Sequence, residues 1–239
     1  MRKGGFLSLV IAAAAVFGSA APAAVLINSS NVGYSFTTDY TGLVGSGSTN
    51  LVSGLSTFTF MGLSNNGLTY NFNYSMTNDS SVSSRLTSFG FDVDPNVSSA
   101  SSTGYFASAN LNNNYPAGVG TIDVCFEADS NGNCTGGPAG LNANQTGTGS
   151  FALTFSQVMA SVSLDSFVTR FQSINPTING SSSGVGIGSV VSNSGGSNPI
   201  VAPEPATWMM LMTGFLLIGG IMRRNRSGLT GIGLAAAQR

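Results

Sequence analysis

The side chains with most chemistry to offer are two thiols and eight mid-chain carboxylates, in a sequence that holds no histidine. Without imidazole there is no His-based triad, no His metal ligand and no general base poised near neutrality. Asp129, Asn131 and Asn133 stand at i, i+2 and i+4, the spacing of oxygen ligands in a calcium loop. Cys134 takes the position where such a loop needs glycine, and Gly140 stands where a bidentate glutamate would close the shell. A polar turn built from Asn, Ser and Gly is therefore favoured over a calcium site. Asp92 and Asp94 fall on one face of a strand that Pro95 ends. They could bind calcium, pair with Arg85 or Arg170, or stay solvated. A glycosidase sets two carboxylates about 5–9 Å apart in a cleft, but eight acids on any β domain produce neighbouring pairs by chance. The expectation is a protein with no catalytic residues, no cofactor and no resident metal.

Cys125 and Cys134 are the only cysteines. Their even count and close spacing favour one disulfide if the chain is exported. Such a bridge is worth about 2–3 kcal/mol in the chain-entropy view. The alternative, a metal pair, is poor, since two thiols without histidine make an incomplete zinc site.

The elements that must carry these groups read as strands. Only 7% of the 239 residues are charged, against about 25% in an average soluble domain. Serine (36), glycine (32), asparagine (22) and threonine (20) solubilise the chain instead. Six of the eight basic residues lie near the termini, which leaves Arg85 and Arg170 against eight acids between 25 and 200. No basic patch for nucleic acid can be built from that. Leu68–Thr77 alternates without a break, with Leu68, Tyr70, Phe72, Tyr74 and Met76 on one side, as a half-buried strand does. Thr57–Met61 is its expected partner, through a turn containing Asn66-Gly67. Similar runs at Val32–Thr37, Arg85–Val93, Gly120–Phe126, Ser150–Ser156 and Val162–Ile174 predict eight to ten antiparallel strands in a β-sandwich or jelly roll spanning 24–179. Residues 180–200, rich in Gly, Ser and Asn, read as a flexible linker.

Both ends read as addresses. Arg2 and Lys3, an apolar run from Phe6 to Phe17 and Ala21-Pro22-Ala23 make residues 1–23 a secretory signal peptide. Near the other end, Pro203-Glu204-Pro205 precedes a 17-residue apolar run, Ala206 to Met222, at the lower limit for a transmembrane helix. Trp208 suits the interface, and Arg223, Arg224 and Arg226 would hold the C-terminus on the cytoplasmic side. A tail, 227–239, follows.

The segment 201–226 (VAPEPATWMMLMTGFLLIGGIMRRNR) resembles the PEP-CTERM sorting signal of Gram-negative bacteria. The resemblance implies recognition by exosortase, a membrane-embedded enzyme that cleaves near the Pro-Glu-Pro motif and passes the protein to the cell exterior. By it, Pro203, Glu204 and Pro205 are the recognition motif, and Arg223, Arg224 and Arg226 the retention signal. The family's signal stops just after the arginines, whereas here the tail continues. Between residues 28 and 180, RLTSFGFDVDPNVSSASSTG, GTIDVCFEADSNGNCTGG, TGTGSFALTF and LDSFVTRFQSI resemble the cistern family, a PEP-CTERM subgroup marked by Asp123-Val124-Cys125 and a second cysteine. No catalytic residues come with it.

These readings imply export through the Sec translocon and signal peptidase, a transient anchor in the inner membrane, and a non-enzymatic role in a biofilm's exopolysaccharide matrix or on the cell surface. One alternative is a carbohydrate-binding β-sandwich module using Tyr34, Tyr40, Tyr105 and Tyr115, unless those rings fill the core. A secreted hydrolase using Asp92 and Asp94 is the third reading.

Overall fold

Period-two alternation becomes burial in this chain. Tyr70, Phe72, Tyr74 and Met76 are buried, while Asn71, Asn73 and Ser75 between them face outward. The computed structural model describes residues 24–194, together with Met212. The expected signal peptide 1–23, Pro203-Glu204-Pro205, the apolar run 206–222 apart from Met212, the arginine cluster and the tail lie outside the described residues.

Twelve strands are described: β1 (Val25–Asn28), β2 (Ser35–Val44), β3 (Gly47–Ser64), β4 (Thr69–Asn78), β5 (Ser83–Asp94) and β6 (Ser99–Gly104), then β7 (Ser108–Tyr115), β8 (Gly120–Glu127), β9 (Leu141–Asn142), β10 (Gln145–Thr154), β11 (Ser161–Asn175) and β12 (Gly184–Ser194). The fold is all-β and antiparallel. The hairpin foreseen around Asn66-Gly67 is present: β3 and β4 pair with Phe60 opposite Phe72. Its turn places Asn65, Asn66 and Gly67 at positive φ, which asparagine and glycine tolerate best.

The strands join in one sheet, ordered β6-β10-β4-β3-β2-β12-β11-β5-β8-β7, with β1 on β11 and β9 on β5. Its two end strands, β6 and β7, are consecutive in the chain and separated only by residues 105–107. The sheet therefore curls until its ends approach, close to a barrel. Two halves face each other across the core, as sandwich layers would, but hydrogen bonding runs unbroken from one to the other through β2, β12 and β11.

Phenylalanine fills the space between the halves. Phe58 on β3 lies 5.8 Å from Phe89 on β5 and 5.9 Å from Phe167 on β11, ring centre to ring centre. Phe151 on β10 lies 4.8 Å from Phe126 on β8 and 4.9 Å from Phe72 on β4. A smaller apolar cluster includes Tyr115, Ile122, Val168, Val185 and the two cysteines.

The linker expected at 180–200 is corrected by β12, which sits inside the sheet between β2 and β11. The reason is packing. Gly184, Gly186 and Gly188 are buried, and a Cβ on Gly188 would come 2.7 Å from Phe167 and from Thr38. Glycine here lets the backbone lie against large side chains of the neighbouring strands rather than loosening it. The β domain thus extends at least to residue 194, beyond its expected end at 179.

Candidate functional site

The loop after β8 is organised by a bridge and a buried carboxylate. Cys125 and Cys134 are disulfide-bonded, with Cα atoms 6.1 Å apart, as the spacing suggested. Cys134 and Gly132 stand at positive φ, which turns the chain back over β8. Within the loop, Asp129, Asn131 and Asn133 serve the backbone. Asp129 accepts from the amide of Ser130 at 2.8 Å, and Asn133 from the amide of Thr135 at 3.1 Å. Asn131 donates to the carbonyl of Gly136 at 2.8 Å and accepts from the amide of Asn133. The polar-turn reading is the one this geometry fits.

Glu127 went unnoticed in the sequence because its strand also carries ordinary alternation. Its side chain is buried and accepts from the Gly132 amide at 3.2 Å and from Asn110 Nδ2 at 3.3 Å. Burial pushes its pKa up, partly opposed by the backbone amides of Gly132, Cys134 and Gly136, while Asp129 adds repulsion. An acid whose folded pKa is raised weakens the fold when ionised, and that penalty fades as pH falls toward the group's ordinary range. Glu127→Gln should therefore equal or exceed the native chain in stability at pH 7 and flatten its stability gain between pH 7 and 5. Urea unfolding at both pH values checks this; a Gln variant with the native pH slope would contradict it.

The aspartates extend a ladder. Asp92 Oδ1 accepts from the amide of Asp123 at 3.1 Å, and Asp123 Oδ2 accepts from the amide of Val93 at 2.8 Å. This exchange lies just beyond the last paired residues of β5 and β8, Phe91 and Val124. Asp165 is opposite Asp92 on β11. Burial raises the Asp92 pKa, and the charges of Asp123 and Asp165 add to the rise. Asp92 also lines a pocket of about 240 Å³ with Thr121, Ser166 and Ile187, but Asp94 does not. The suggested partners of this acid pair are engaged elsewhere. Arg85 donates to the Gly137 carbonyl, and Arg170 to the carbonyls of Thr135 and Gly184.

Tyr34, Tyr40 and Tyr115 are core residues and not glycan platforms, each at most 1% exposed. Tyr115 OH meets Ser88 Oγ at 3.0 Å, and Tyr40 OH meets Ser56 Oγ at 3.1 Å. Burial pushes both phenols up. Tyr105, 39% exposed, is the one of the four that reaches solvent.

A second groove, of about 300 Å³, lies on the outside of the other half-sheet, across β3, β4, β10 and β6. Asn71, Asn73, Ser101, Thr103 and Ser150 line it beside Met61. Its sequence signal is the outward register of those strands, which is Ser, Thr or Asn at most positions.

Compared with family models, curated proteins and solved structures, the chain matches none. Among the described residues no helix is long and apolar enough to cross a membrane; of the apolar run 206–222 only Met212 is among them.

Proposed function

We propose that this chain is a non-enzymatic exported protein, held briefly in the inner membrane and released by exosortase to the cell surface or an exopolysaccharide matrix. The observation that carries the reading is the order Pro203-Glu204-Pro205, apolar run 206–222, then Arg223, Arg224 and Arg226. Residues 1–23 act as the signal peptide, and 206–222 as the single transmembrane helix, inserted with its arginines inside. Pro203-Glu204-Pro205 then lies at the outer face, where two prolines keep the backbone extended for a protease to read. The Cys125–Cys134 bridge supports an oxidising compartment. The curled, two-layered sheet serves as a sandwich-like scaffold, and its few charges suit a hydrated, neutral surrounding.

Expression in a host with exosortase should give a mature protein lacking residues 206–239. Replacing Pro203, Glu204 and Pro205 by alanine should leave export intact and trap an uncut, membrane-bound form. Intact mass and membrane fractionation read the outcome. A triple variant cut and released like the native chain would reduce the segment to a plain anchor.

A further inference from the structure

The outer face of β2, β3, β4, β10 and β6 is an array of hydroxyls and amides. Hydroxyl pairs bridge neighbouring strands along it: Ser35 with Thr59 at 2.7 Å, Thr77 with Thr146 at 2.8 Å, and Thr103 with Ser150 at 2.8 Å. Such pairs stiffen the surface and hold its side chains in fixed rotamers. The 300 Å³ groove crosses this face, and no ionisable side chain lines it.

One wall is apolar. A break in register between Phe60 and Gly62 makes Met61 the bulged residue of β3, and it stands 50% exposed beside the polar floor. The floor has free hydrogen-bonding capacity. Asn71 spends its amide hydrogens on the Gly62 carbonyl at 3.2 Å and Ser64 Oγ at 3.0 Å, which leaves its Oδ1 to accept. Asn73 and Ser101 are exposed, and their side chains make no hydrogen bond within the described residues.

We propose that this groove binds a segment of a neutral polysaccharide. A sugar ring offers one patch of C–H groups and a rim of hydroxyls that both donate and accept. Met61 covers the patch, while Asn73, Ser101 and the Asn71 carbonyl take the rim. An anionic polymer would lose hydration here with no cation to meet it. A fully apolar ligand would leave the amides unpaired. A peptide strand would add along an open sheet edge, here the outer edge of β6, and not across the groove's face, where β3, β4 and β10 are paired on both sides. The proposal rests on the exterior placement above for where such a polymer would be met, but not for whether the groove binds it.

The test uses the purified full chain in detergent with cellohexaose, laminarihexaose and maltohexaose, and with hexagalacturonate as an anionic counterpart. Titration by calorimetry should give at least one neutral hexaose half-saturating near or below about 1 mM, and hexagalacturonate at least tenfold weaker. Ala152→Arg, which fills the groove from an outward position, should weaken binding at least tenfold. Met61→Ala combined with Asn73→Ala should do the same. Thr121→Arg, in the pocket on the other half, should leave binding unchanged. Thermal unfolding confirms that each variant is folded. The proposal is overturned if no neutral hexaose binds, if hexagalacturonate binds as tightly, or if Thr121→Arg abolishes binding while Ala152→Arg does not. Because binding is read on purified protein, a failure of exosortase cleavage in the host leaves these outcomes unaffected, and the two readings fail separately.

Discussion

A chain that stops after Ser183 should not fold, whereas one that stops after Ser194 should. The eleven residues between them are β12, which lies between β2 and β11 and bonds to both. Removing it opens two sheet edges in the middle of the molecule. It also uncovers Tyr40, Phe167 and Phe171, whose side chains lie 2.7 to 3.0 Å from where Gly186 and Gly188 would carry a Cβ, closer than van der Waals contact. Exposing a large apolar side chain costs about 1.5–3 kcal/mol, and a domain's whole stability is about 5–15 kcal/mol. Three rings and two ladders are enough to consume it. Far-UV circular dichroism and urea unfolding separate the two chains, and a cooperative transition in the shorter one at the midpoint of the longer would refute the assignment. A milder probe is Gly186→Val. Its Cβ would run into Thr169 Oγ1, with Phe171 and Tyr40 at 3.0 Å. Overpacking of that kind costs about 1–3 kcal/mol.

The second large effect is expected at Phe151. Its ring touches those of Phe58, Phe72, Tyr74, Phe89, Phe91 and Phe126, so it joins β10 to both halves of the sheet. Phe151→Ala should lower stability by about 3–5 kcal/mol, the range for a phenylalanine emptied from a packed core. Phe151→Leu keeps most of the volume and should cost clearly less. The midpoint of urea unfolding at pH 7 measures both. A loss under about 1 kcal/mol for the alanine variant would mean that the core closes over the space, contrary to rings held on separate strands.

The strand register was readable where one face is buried and the other wet. Tyr70 to Met76 announced their strand, and Arg85–Val93 and Val162–Ile174 fell within β5 and β11. Val32–Thr37 was displaced, because Asn28 caps a short 3-10 turn at Ser29–Asn31 and the strand begins only at Ser35. Strands β6 and β7 escaped notice. SASSTG and SANLNNNY carry few apolar residues and lie at the ends of the sheet, where one edge needs no strand partner.

The groove and the tyrosines show the same limit from the other side. Tyr115 looks like a loop residue by its neighbours Asn114 and Pro116, yet it is buried because Ser88 on a distant strand accepts and shares its hydroxyl. Met61 shares the outward side of TFTFM with Thr57 and Thr59, and the bulge there sets it beside Asn71 as the apolar wall of the groove, which the strand alone does not show.

What the sequence by itself determined is what local physics writes. Alternation placed the strands and their inward faces, Asn66-Gly67 placed a turn, two nearby cysteines placed a bridge, and the absence of histidine removed whole classes of chemistry. Tertiary structure alone decided whether GVGIG is tether or core strand, which phenols are covered, and which outward rows combine into a groove. Those outcomes depend on atoms that approach from segments far away in the chain. Glycine reads alike in a loop and under an aromatic ring, and only the packed neighbour tells the two apart.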